Sequence, residues 1–135
     1  MEKTIEQDHI LTEDKKEDIR KIVIFNDDNT FDHVICIATL HHLQKCDHAK
    51  AINELLRVVK SGGLICLSVW YPPNIEKMEK NHYQVYNKTD IVRYFYIFDK
   101  GEIDKIIIEN NLNMKCEILE SNVYKQSQYL YLKKK

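Results

Sequence analysis

The feature that most limits how this chain can fold is a pair of apolar runs, His33 to Ala38 (His-Val-Ile-Cys-Ile-Ala) and Leu64 to Trp70, separated by an amphipathic stretch. Near-continuous runs rich in β-branched residues are the pattern of strands buried on both faces of a parallel sheet. Between them, Ile52, Leu55, Leu56 and Val59 fall at i, i+3, i+4 and i+7, with Lys50, Asn53, Glu54, Arg57 and Lys60 on the other side. This spacing predicts a helix, with Asp47 as its N-cap and Gly62 or Gly63 as its left-handed C-cap. Strand, helix and strand in that order make a right-handed βαβ unit, so the two apolar runs should pair in parallel.

The flanks are less regular. Residues 1–21 mix charged residues with scattered Ile and Leu and keep no period, which predicts a charged, flexible arm; Ile22 to Phe25 reads as a short strand remnant before the turn Asn26 to Thr30. Pro72 and Pro73 end the second strand, and the polar and aromatic stretch Asn74 to Phe98 then reads as a long loop of the kind that carries binding residues. Asp99 and Glu102 form a capping-box pair opening a helix through Asn111, with Ile103, Ile106 and Ile107 on its buried stripe. Met114, Cys116 and Ile118 alternate with charged residues, and Tyr129 to Leu132 is a second β-rich run, so the chain should close with an antiparallel pair.

Composition narrows the function classes. A net charge of -1 supplies no global positive field, so contact with nucleic acid has to come from a local patch or from another subunit. The four cysteines, Cys36, Cys46, Cys66 and Cys116, contain no C-x-x-C pair and mostly sit in apolar runs, which points to reduced thiols and a reducing compartment. The N-terminus has no apolar segment of the signal-peptide kind, and no stretch is long and apolar enough to span a membrane, so cytoplasm or nucleus is the expected location. His41, His42, Cys46 and His48 lie close in sequence, but their spacing matches no common zinc pattern, and no metal is expected. Lys133 to Lys135 reads as a solvated tail.

The words of the sequence add a family. Phe31-Asp32-His33-Val34 through His41-His42-Leu43 resembles the fourth strand and following turn of class I S-adenosylmethionine-dependent methyltransferases, and Ala51 to Trp70 resembles the next helix, the R-V-L-K-P-G-G turn and the fifth strand, with Ser61 where proline is common. Ile-Ala-Thr-Leu-His-His-Leu, Val-Trp and Arg93 through Glu102 look most like the eukaryotic tRNA wobble-uridine carboxymethyl methyltransferases. The resemblance covers about three quarters of the chain and implies an α/β fold: the C-terminal half of a doubly wound, Rossmann-like sheet, a parallel βαβ unit followed by an antiparallel hairpin.

It also implies a chemistry. In that family the methyl group passes from S-adenosylmethionine to a carboxylate on the modified uridine. A carboxylate is already ionised at neutral pH, so no general base is required and the protein's work is to align and desolvate two reactants. Arg93, whose guanidinium offers a rigid donor fork, is the expected grip on that carboxylate. Tyr94 and Trp70 are expected to stack on the base or wall its pocket, and His41 to stand with Arg93 and Tyr94 among the catalytic positions. Ile37, Ala38 and Thr39, at the carboxyl end of a parallel strand, and His42 just after it, are the expected cofactor-side residues. The resemblance further implies tRNA and a small zinc-binding activator protein as partners.

One half of such a domain is not legible. The family holds its cofactor with a Gly-rich turn after the first strand and an acidic residue at the end of the second. Here the glycines are Gly62, Gly63 and Gly101, all placed in other turns, and Asp18 matches the acidic position near the adenine poorly. Residues 22–135 are therefore expected to be a partial methyltransferase domain, a fragment or one part of a split enzyme completed by a second chain. The alternative is a non-catalytic interaction module or pseudo-enzyme built on the same fold.

Overall fold

Both apolar runs lie side by side in one sheet. In the computed structural model, which describes residues 4–6, 26–86 and 91–135, the strands β1 (Thr4–Glu6), β2 (Phe31–Ile37) and β3 (Val59–Trp70) are joined in parallel. Residues His33 to Ile37 are in register with Leu64 to Ser68. Helix α1 (His48–Val58) makes the crossover between β2 and β3. The closing strands β6 (Cys116–Tyr124) and β7 (Ser127–Lys134) pair antiparallel, and β7 adds to β3, giving the order β1-β2-β3-β7-β6.

This is the α/β architecture expected from the sequence, with four local corrections. Within the segment read as a flexible arm, Thr4–Glu6 is a strand paired with His33 to Ile35 and the outermost of the sheet among the described residues; residues 1–3 and 7–21, and the strand remnant at 22–25, lie outside the described residues. The arm's three strand residues carry too little pattern to be seen in sequence, because an outermost strand is held by backbone hydrogen bonds. The glycines do not cap α1, which ends at Val58 with Val59 already extended; Gly62, at φ +82, bends β3 instead. Asp47 occupies the N-cap position of α1 without a side-chain capping bond.

The third correction concerns Asn74 to Phe98, which holds a two-stranded antiparallel hairpin, β4 (Asn81–Tyr86) and β5 (Ile91–Tyr96). Its strands, Asn-His-Tyr-Gln-Val-Tyr and Ile-Val-Arg-Tyr-Phe-Tyr, carry no period-two alternation, with Tyr94, Phe95 and Tyr96 aromatic in succession, so the pattern does not mark them as strands in sequence. The fourth concerns burial. Val34, Cys36, Ile65, Leu67 and Val69 are buried, but on the opposite face Ile37 is 38% and Leu64 41% exposed, so only one face of the described sheet is fully covered.

The covered face carries the core. Ile52, Leu55 and Leu56 of α1 and Ile103 and Ile107 of α2 (Glu102–Glu109) share one hydrophobic cluster with those strand residues, Phe98 and Leu130. Half of the expected capping box forms: the Asp99 N–H donates to Glu102 Oε1, while Gly101, at φ +79, sits at the N-cap. The loop before α2 is pinned to the sheet by buried Gln128 of β7, whose Oε1 accepts from the Gly101 N–H at 2.7 Å.

Candidate functional site at the carboxyl ends of β2 and β3

Where β2 ends, the backbone turns sharply: Ala38 takes φ +53, and the Ala38 N–H donates to Ser68 O of β3. A left-handed alanine is strained. It redirects the chain into a 3-10 turn, Leu40–His42, that sets both imidazoles between the sheet and the hairpin. Open α/β sheets bind ligands at this carboxyl edge.

The two histidines hold opposite roles. The Trp70 N–H donates to His41 Nδ1 at 2.9 Å, so Nδ1 of His41 must be unprotonated. Burial, with smaller contributions from His42 and Arg93, pulls the His41 imidazole down from 6.5 to about 3, which keeps it neutral with its proton on Nε2. His42 Nδ1 lies 2.9 Å from Tyr94 O, and a carbonyl can only accept, so this nitrogen carries a proton. One imidazole therefore ties the turn to the end of β3, and the other ties it to β5.

Phe95 fills the space among them. Its ring lies 5.0 Å from that of His41, 4.7 Å from His42 and 5.3 Å from Trp70. At its base the hairpin is fixed by a polar knot: Lys80 Nζ pairs with Asp99 and Glu102 and donates to Ile97 O, and Tyr96 OH donates to Glu102. Burial pushes the Glu102 carboxyl up, but hydrogen bonds from Lys80, Tyr96 and the Asp99 N–H outweigh it and leave the group below its usual range.

Between sheet and hairpin is a cavity of about 470 Å³. Ile37, Ala38, His41, His42, Trp70 and Arg93 line it, so most of the positions singled out in the sequence meet in one place. Two do not. Thr39 is buried, its hydroxyl donating to Ile37 O, and Tyr94 points the other way, its hydroxyl donating to Asn81 Oδ1 at 2.6 Å. Tyr94 sits one residue from Arg93 on a strand, and neighbouring side chains on a strand take opposite faces. The same rule recovers residues that the sequence reading missed: Gln84 lies opposite Arg93 and His82 opposite Phe95, and Gln84, Phe95, Ser68 and Ser127 also line the cavity. Among the described residues no group of three or more His, Cys, Asp or Glu side chains could hold a metal ion.

Comparison with known proteins bears on the fold. Residues 2–67 match the family model described as a methyltransferase domain. A protein of Encephalitozoon cuniculi, named only provisionally as a methyltransferase, is 25% identical over 79% of this chain and 54% of its own length. The tRNA (carboxymethyluridine(34)-5-O)-methyltransferase of Arabidopsis thaliana is 52% identical over 40 residues, 29% of this chain and 10% of its own. The chain thus spans about half the length of the first of these relatives and far less of the second. The crystal structure of a SAM-dependent methyltransferase from Methanosarcina mazei superposes with a TM-score of 0.67 at 17% identity, covering 89% of this chain and 66% of the other. The fold is that of the class I, S-adenosylmethionine-dependent methyltransferases, and residues 2–67 are the part of the chain that matches the methyltransferase domain model.

Proposed function

We propose that this chain is the substrate-side part of an S-adenosylmethionine-dependent methyltransferase that esterifies the carboxylate of a 5-carboxymethyl wobble uridine in tRNA. The observation that carries the reading is that Arg93 and Trp70 share one cavity with the carboxyl ends of β2 and β3. The 40-residue likeness to the Arabidopsis enzyme supports the choice of substrate.

The residues present fit one wall of a cofactor pocket. Ile37 and Ala38 offer backbone at the sheet edge, Ser68 offers a hydroxyl, and the cavity volume lies in the range of small-molecule sites. No glycine lines this cavity, since Gly62 and Gly63 lie in the first half of β3 and Gly101 precedes α2, so a Gly-rich cofactor turn is not part of that wall. When bound, S-adenosylmethionine supplies an electrophilic methyl group. The rest of the work falls to the chain's own residues: Arg93 orients the carboxylate, Trp70 and Phe95 exclude water, and neutral His41 holds the end of β3 without placing a charge beside the acceptor. A partner chain completing the sheet beyond β1, and a zinc-binding activator protein, belong to the same proposal, with tRNA as the nucleic-acid partner.

The test is methyl transfer to tRNA carrying 5-carboxymethyluridine, with the chain alone and with a complementing methyltransferase half. The expected product is a base-labile methyl ester, formed only with the modified tRNA; base-stable label would refute the carboxylate as acceptor. The second reading, an interaction module that binds no cofactor, is favoured by the glycine placement. Titration with S-adenosylhomocysteine separates the two: no heat with or without the complementing half leaves only the module.

A further inference from the structure

The hairpin wall of the cavity presents two polar side chains at one level. Gln84 of β4 and Arg93 of β5 are direct cross-strand partners, and both line the cavity. Directly opposed residues of an antiparallel pair have Cβ atoms about 5 Å apart on the same face. Whatever ligand carboxylate Arg93 holds, a primary amide therefore stands beside it, one strand spacing away. Phe95 and His82, on the same face, form a ring cluster with Trp70, so the amide and guanidinium stand beside a patch of rings.

The shape of a 5-carboxymethyl pyrimidine-dione matches this pair. Its carboxylate is joined through one methylene to ring carbon C5, and the ring carbonyl O4 is on the adjacent carbon, with the N3–H beyond it. A donor next to the carboxylate-binding fork meets O4, and the amide oxygen of the same glutamine meets the N3–H. Resting on the carboxymethyluridine reading of this site, the geometry points to Gln84 as the residue that reads the uridine ring edge while Arg93 reads the carboxymethyl arm. Arg93 alone recognises any carboxylate. The Gln84 amide restricts the site to carboxylates that carry a carbonyl and an N–H on the neighbouring ring.

Anticodon stem-loop RNAs bearing either 5-carboxymethyluridine or plain uridine, titrated into the full chain by fluorescence anisotropy, provide the test, with Gln84→Met and Arg93→Leu as variants. Both positions are exposed, and an unchanged thermal melt controls for folding. Wild-type protein is expected to prefer the modified RNA. R93L abolishes that preference, whereas Q84M weakens binding of both RNAs by about tenfold, the worth of one or two neutral hydrogen bonds, and leaves the preference intact. If wild type shows no preference, the functional reading fails and takes this inference with it. If wild type prefers the modified RNA but Q84M binds both RNAs like wild type, or loses only the preference, the assignment of Gln84 is overturned and the functional reading stands.

Discussion

Adding one methyl group at Gly63 strikes the joint between the two central strands. An alanine Cβ there would stand 2.4 Å from Asp32 O, 2.7 Å from Val59 Cγ2 and 2.8 Å from Lys60 O. Two of these three atoms belong to the backbone, and Asp32 lies where the register between β2 and β3 shifts, so the clash is relieved only by moving one strand against the other. Overpacking of this kind costs about 1–3 kcal/mol, and the backbone contacts place Gly63→Ala near the upper end, about 3 kcal/mol. For a chain of this size that is a fall in melting temperature of roughly 10 °C. Gly62→Ala is the comparison: it has no atom within 4 Å but sits at φ +82, and the left-handed backbone alone costs an alanine about 1–2 kcal/mol. Thermal melts followed by circular dichroism should rank wild type above G62A and G62A above G63A. A G63A protein that melts within about 2 °C of wild type would refute the close approach of the strands.

Three further outcomes follow from the site. His41 has its folded pKa depressed from 6.5 to about 3, so the unfolded chain binds the extra proton first; its contribution is complete above pH 6.5 and is lost as pH falls toward 3. His41→Gln, whose amide oxygen can still accept from the Trp70 N–H, should flatten the dependence of urea stability on pH between about 6.5 and 5, a window above most carboxylate titrations. Glu102→Gln turns the acceptor of the Lys80 and Tyr96 bonds into a neutral amide and should cost about 1–3 kcal/mol in denaturant unfolding at pH 7. Because Glu102 is held below its usual range, the gap between that variant and wild type should close as pH drops below about 4.5. On the proposed carboxymethyluridine reading, Arg93→Lys keeps the charge but loses the planar fork, and should raise KM for carboxymethyluridine tRNA about tenfold.

The parts of the fold that bury side chains were legible, and the parts held by backbone were not. The runs at His33 and Leu64 declared strands because their apolar residues have nowhere else to go, and the i, i+3, i+4, i+7 stripe declared α1. Thr4–Glu6 is held by pairing with β2 and leaves almost no pattern, so it was folded into an arm. Glycine misled because Gly62 and Gly63 follow a helix closely enough to imitate its cap, while the chain leaves α1 at Val58. In the site, Arg93 and Trp70 were found by type, but the face they share was not. Tyr94 was placed in the pocket because it neighbours Arg93 in sequence; once Asn81 to Tyr96 is a hairpin, alternation removes Tyr94 and brings in Gln84 and Phe95.

Both imidazole hydrogen bonds at the joint between hairpin and sheet meet main-chain atoms: Trp70 offers its N–H to His41, and Tyr94 offers its carbonyl to His42. Any residue at position 70 except proline keeps the first bond, and any residue at position 94 keeps the second. Substitution can therefore sample new side chains at 70, 84, 93 and 94 while these two hydrogen bonds are kept. Such an arrangement separates what holds the hairpin in place from what its outer wall presents, and it makes this hairpin the natural place to begin when redirecting the scaffold by directed evolution.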